Sequence, residues 1–150
     1  MALGFSFRQS MSGTYWLLDA PTDERAIAFA IRAETRDLRA LARQTTLRAT
    51  GRIDADRLAS GQPVEGTLAL RLLDGRRLAY RLGFRRDDGR ACELSGLEEW
   101  SQLSPVESLT VLRASLYDDR GEEFARATLR FDVRSQWASL LKSIRLYWAW

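Results

Sequence analysis

Apolar and polar positions alternate with period two along most of the chain, which predicts strands with one buried and one wet face. The pattern is sharpest over residues 66–97. There Leu78, Tyr80, Leu82 and Phe84 alternate with Arg77, Ala79, Arg81 and Arg85. The segment before sets Leu68, Leu70 and Leu72 against Ala69 and Arg71, and the segment after sets Cys92, Leu94 and Gly96 against Ala91, Glu93 and Ser95. Asp74-Gly75 and Asp88-Gly89 separate the three, which reads as an antiparallel meander.

Parity selects the turns. A two-residue loop at Asp74-Gly75 would put Leu70 opposite Ala79 and Leu68 opposite Arg81, mixing core and solvent residues on one face. A one-residue slip inverts every side chain, so that register is rejected. A three-residue loop, Leu73-Asp74-Gly75, pairs Leu70 with Leu78 and Leu68 with Tyr80, with Gly75 in the left-handed position of a bulged type I turn. The same solution at Asp87-Asp88-Gly89 pairs Phe84 with Cys92, Leu82 with Leu94 and Tyr80 with Gly96.

Elsewhere, residues 3–18 form one long strand with Phe5, Phe7, Met11, Tyr15 and Leu17 on the apolar side, bent or bulged near Gly13. Asp19 to Arg25, with Pro21, reads as a turn, and 26–33 as a strand with Ile27, Phe29 and Ile31 inward. Residues 36–43 suit a short helical segment capped by Thr35 or Asp37. A strand follows to Ile53, then a polar link from Asp54 to Pro63; after the meander, Glu98 to Val106 reads as a loop. A second hairpin sets Leu109 and Val111 against Leu129 and Phe131 through loop 119–121. Ser135 caps a C-terminal helix carrying Trp137, Leu140, Leu141, Ile144 and Arg145 at helical spacing.

About eight strands with connections too short for βαβ units predict a single all-β domain over residues 1–150. Its expected form is an antiparallel sandwich or flattened barrel, with helical pieces near 36–43 and at the C-terminus.

Composition narrows the setting. Hydrophobic content of 45% and charge of 29% suit a globular chain. Cys92 is the one cysteine, so an internal disulfide is impossible, and as a small core residue it suits a cytoplasmic location. The opening Met-Ala-Leu-Gly-Phe-Ser-Phe-Arg has no secretion-signal pattern, and no apolar run approaches a membrane span.

Histidine is absent, which removes Ser-His-Asp and Cys-His mechanisms and the usual zinc sites. There is no Gly-x-Gly dinucleotide loop and no Gly-Lys-Ser/Thr phosphate cradle, so no cofactor and no metal are expected. Acid–base chemistry would have to use a carboxylate pair: Asp54/Asp56, Asp87/Asp88, Glu98/Glu99, Asp118/Asp119 or Glu122/Glu123. Several lie in turns, where Asp serves turn hydrogen bonds, and the expectation is that the chain is not an enzyme.

The remaining candidates are surfaces. Arg71, Arg77, Arg81 and Arg85 line the wet face of the meander, with Arg71 opposite Arg77. Like charges across a ladder repel, which favours an anionic partner. Solvated arginine in a chain with 22 Arg and one Lys explains the stripe as well. Ala and Gly interleave here rather than stacking aromatics, which argues against nucleic acid. Trp148 and Trp150 at the chain end would close the core, meet a partner or rest at a membrane interface.

Several short motifs together resemble one family. Phe7-Arg8-Gln9-Ser10-Met11-Ser12-Gly13 is similar to the Phe-x-Glu-x-Met-x-Gly opening of an accessory β domain found with bacterial cholesterol-oxidase-like GMC oxidoreductases and α/β-hydrolases. Asp37-Leu38 and Ala49-Thr50-Gly51-Arg52-Ile53 are similar to its middle. Leu78-Ala79-Tyr80-Arg81-Leu82-Gly83-Phe84, Asp88-Gly89 and Leu94-Ser95-Gly96 look like its Tyr-x-Leu-x-Phe, Asp-Gly and Leu-x-Gly signatures, and Ser143-Ile144-Arg145 suits its end. Gln9 departs from the acid usual in the opening motif. The resemblance implies no flavin-binding or catalytic residue in this chain. It implies an auxiliary module working with a lipid- or sterol-metabolising oxidoreductase or hydrolase. The alternative is a small barrel or sandwich holding an apolar ligand, such as a lipid or sterol, among Phe5, Phe7, Tyr15, Phe29, Tyr80, Phe84 and Phe131.

Overall fold

The segments of alternating apolar and polar residues form strands. A computed structural model describes residues 2–37, 39, 45–71, 77–99, 109–132, 142 and 144–149. Its elements are β1 (Ala2–Leu17), β2 (Ala20–Thr35), β3 (Thr45–Ala55), β4 (Ala59–Arg71), β5 (Arg77–Arg85), β6 (Ala91–Glu99), β7 (Leu109–Tyr117), β8 (Glu123–Asp132) and β9 (Arg145–Ala149).

Each strand from β1 to β8 pairs antiparallel with the next, and β8 returns to pair with β1. The result is a closed eight-stranded up-and-down barrel, which leaves those strands no open sheet edge. Ser12 to Leu17 of β1 meet Ala125 to Arg130 of β8. Farther back along the same strand, Ala2 to Ser6 pair with β9.

The meander has the register that parity demands. Leu70 pairs with Leu78, Leu68 with Tyr80 and Arg71 with Arg77. Phe84 pairs with Cys92, Leu82 with Leu94 and Tyr80 with Gly96. The loop 87–89 is closed by Arg86 N–H donating to Arg90 O at 2.8 Å, and Gly89 has φ +87°. The loop 119–121 repeats this, with Asp118 N–H donating to Glu122 O at 2.9 Å and Gly121 at φ +77°. The connection 72–76 lies outside the described residues.

One hairpin departs from the expected faces. A bulge between Leu116 and Tyr117 shifts the β7–β8 register by one, so Leu112 faces Leu129 and Val111 faces Arg130. The inward set of β7 is therefore Leu112, Ala114 and Leu116, and Val111 points outward. The loop length was read correctly; one extra residue in β8 inverts the parity beyond it.

Other expectations are also corrected. The link from Asp54 to Pro63 is a tight hairpin, with Ala55 paired to Ala59 and Leu58 buried beneath the turn. Asp19 to Arg25 is mostly β2, the turn being Leu18-Asp19 alone. The β1 irregularity lies between Tyr15 and Leu17. Gly13 remains in register there, and a Cβ on it would lie 1.9 Å from Thr128 O across the β1–β8 seam. The helix expected to run through Arg145 gives way to β9 from that residue; within the two segments expected to be helical, the described residues Arg39 and Lys142 have helical backbone. Most of 36–43, and 135–141, lie outside the described residues.

The inward faces form one hydrophobic core. It runs from Met11 and Tyr15 around the barrel through Phe29, Leu68, Tyr80 and Leu94 to Leu129 and Phe131.

Candidate functional site

The aromatic candidates all point inward. Tyr15, Phe29, Tyr80, Phe84 and Phe131 are buried, whereas Phe5 and Phe7 are half-buried near the mouth, ring centroids 5.7 Å apart. Tyr15 donates its hydroxyl to Asp56 O, tying β1 to the β3–β4 turn. Tyr80 lies 6.0 Å from the Phe29 ring and donates to Gln9 Oε1 at 2.7 Å. That bond crosses the barrel from β5 to β1, joining the Phe7–Gly13 motif to the Leu78–Phe84 motif. Gln9 is buried, and among the described residues only Ser6 is another buried polar side chain.

The outer face carries a groove of about 1060 Å³ across β4 to β8 and the end of β1. Barrel register builds it in two rows. Thr67, Arg81, Ser95, Ser115, Arg126 and Trp16 stand side by side on successive strands. The adjacent row is Ala69, Ala79, Leu97, Arg113 and Thr128. Small side chains make the floor; Trp16 and Leu97 give it apolar relief, and three guanidiniums line it with no carboxylate among the described lining residues.

Arg81 pairs with Glu93 at 2.9 Å, and Arg126 with Glu123 at 2.8 Å. The Arg126 hydrogen bond, helped by Ser115, holds the Glu123 carboxyl below its usual range. Arg113 has no ion pair among the described residues. Of the two described side chains of the arginine stripe, Arg81 lines the groove, while Arg85 donates to Gly89 O at 2.9 Å and braces its turn. The Arg71 and Arg77 backbones stand opposite one another, and their side chains lie outside the described residues. Trp148 is 61% exposed on β9, and Trp150 lies outside the described residues.

Several carboxylates of the candidate pairs serve local structure, and the Glu98 and Glu99 side chains lie outside the described residues. Asp87 accepts from Ser60 N–H, Ser60 Oγ and Gln62 Nε2, which lowers its pKa, Gln62 most strongly. Asp118 accepts from the N–H groups of Arg120 and Glu122, Asp88 from Arg90 and Asp54 from Gly61. Burial pushes the Cys92 thiol up to about 11, so it stays protonated at neutral pH and is a poor nucleophile. Among the described residues no group of three His, Cys, Asp or Glu side chains could hold a metal ion, and no helix is long and apolar enough to cross a membrane.

Sequence reasoning noted Gln9 only as a departure from the opening motif, and passed over Trp16 and Arg113. The first two signals were legible: Gln9 is polar at an apolar parity, and Trp16 is aromatic at a wet one. Arg113 was hidden because the β7 parity was inverted.

No family model, curated protein or solved structure matches the chain.

Proposed function

We propose that the chain is a non-catalytic interaction module that docks on an enzyme of lipid or sterol metabolism, with the outer groove as its docking face. The observation that supports this is the groove's arginine content: Arg81, Arg113 and Arg126 converge on a floor of small residues, and Arg113 has no ion pair among the described residues. Arg and Trp are the side chains that most often dominate binding energy at protein interfaces. A positive groove with apolar relief fits an acidic segment of the partner, whose carboxylates meet Arg113 while an apolar side chain rests on Trp16 and Leu97. The lipid or sterol connection comes from the motif resemblance alone.

The test places a photoreactive amino acid at Leu97, in the groove, and at Ala30, on an exposed outward position of β2, and crosslinks in the native host. The expected product is an oxidoreductase or hydrolase acting on a lipid or sterol, captured from position 97 and lost when Arg113→Glu is added. Equal capture from both positions, or capture indifferent to Arg113→Glu, contradicts the proposal.

A further inference from the structure

The barrel interior contains one polar group that the packing does not explain. Gln9 is 8% exposed, and its Oε1 accepts from Tyr80. Among the described residues its Nε2 makes no hydrogen bond. A buried amide donor without an acceptor costs free energy, so native proteins fill such positions with a water or another acceptor.

From Gln9 toward the rim beside β9, the mouth of the barrel, the inward positions of β1 are the aromatic Phe7 and Phe5. Both share the parity of Gln9, with unbroken register against β2 from Phe5 to Tyr15. Directly opposed residues of neighbouring strands face the same side. Leu146 opposite Phe5 and Trp148 opposite Leu3 therefore extend the inner face of the barrel beyond its rim. They are 62% and 61% exposed. This lip is held in place from behind, where the Tyr147 ring covers Gly4 and its hydroxyl donates to Thr35 O at 3.2 Å. The other end is closed: Leu58 and Ala59 are buried under the β3–β4 turn.

We infer that the barrel interior beneath this mouth binds a neutral, largely apolar molecule with one oxygen acceptor, which takes the hydrogen bond from Gln9 Nε2. The apolar class follows from Phe5, Phe7, Phe29 and the exposed lip. Neutrality follows because the described buried residues include no charged side chain, so an ionised ligand would be left unpaired. A ketone, ester or hydroxyl oxygen meets both demands. The site is separate from the outer groove and does not depend on it.

The test is fluorescence titration of the whole chain with 6-propionyl-2-(dimethylamino)naphthalene, an apolar fluorophore carrying one ketone oxygen. Its parent 2-(dimethylamino)naphthalene, which lacks the ketone, is the control. The expected result is saturable binding of the ketone probe, weakened about ten-fold by Gln9→Met, with binding of the parent unchanged. Absence of saturable binding, which leaves water as the sole occupant, overturns the inference. So does a variant that leaves both probes unaffected or weakens both equally. Should Gln9→Met fail to fold, the infrared carbonyl stretch of the probe bound to the wild type decides. A shift to the lower frequency of a hydrogen-bonded ketone supports the site, and an unshifted band contradicts it.

Discussion

The two ends of the barrel are built differently. At one end the connections are Leu18-Asp19, Asp56–Leu58, 87–89 and 119–121, all short; the last three are closed by backbone hydrogen bonds, and Leu18 N–H donates to Phe124 O of β8. Acids fix several of them: Asp87 gathers Ser60 and Gln62, and Asp118 holds two N–H groups of its own loop. At the other end the chain crosses through 36–44, 72–76, 100–108 and 133–144, and β9 presents Leu146 and Trp148 to solvent. An up-and-down barrel sends alternate connections to opposite ends, so each end has a composition of its own. The short-turned end is a scaffold, and the proposed recognition surfaces are the mouth and the outer wall.

The largest expected difference is in packing. Leu116→Ala, at a fully buried position in the short-turned half, lowers unfolding free energy by about 2–5 kcal/mol in urea titrations, whereas Leu146→Ala on the exposed lip changes it by less than about 0.5 kcal/mol. Comparable losses at the two sites would break the contrast. Next comes Tyr15→Phe, which removes the hydroxyl donor to Asp56 O and costs about 1–3 kcal/mol. Tyr147→Phe removes a longer bond at the mouth, and calorimetry should find the smaller fall in Tm there.

Turn chemistry gives a third separation. Gly89→Ala and Gly121→Ala force a left-handed φ on a residue with a Cβ, at about 1–2 kcal/mol each. Unchanged stability would mean that neither loop holds the bulged turn.

The smallest effect is electrostatic. The folded Asp87 carboxyl titrates below its unfolded value, so its contribution is present above the unfolded pKa and is lost as pH falls through the folded one. Asp87→Asn therefore flattens the acid limb of Tm against pH and leaves the mouth unaffected.

Strands and most registers were legible because parity is a local property: Asp-Gly turns, alternating Leu and Arg, and a single inward face fix the pairing of β4, β5 and β6. Three features were not. The β7–β8 bulge involves no glycine or proline to mark it, so one extra residue silently turned Val111 outward. Closure of β8 on β1 joins strands far apart in the chain, and nothing local distinguishes that seam from the edge of a sandwich. At the C-terminus, helical spacing through Leu140, Leu141 and Ile144 competes with strand alternation from Arg145, and pairing with β1 decides for strand. The candidate site divides the same way. Gln9 can be seen in the sequence as a polar residue in an apolar row, but its partner Tyr80 lies 71 residues away.

Barrel closure is the claim on which the two ends, the outer groove and the enclosed Gln9 all depend, and residue-resolved amide hydrogen exchange tests it most directly. Closure predicts that the hydrogen-bonded amides of Thr14 to Leu17 and Ala125 to Thr128 are protected as strongly as those of β5, with β9 exchanging sooner. Fast exchange of both β1 and β8 along this seam, as for two edge strands of an open sheet, would contradict it.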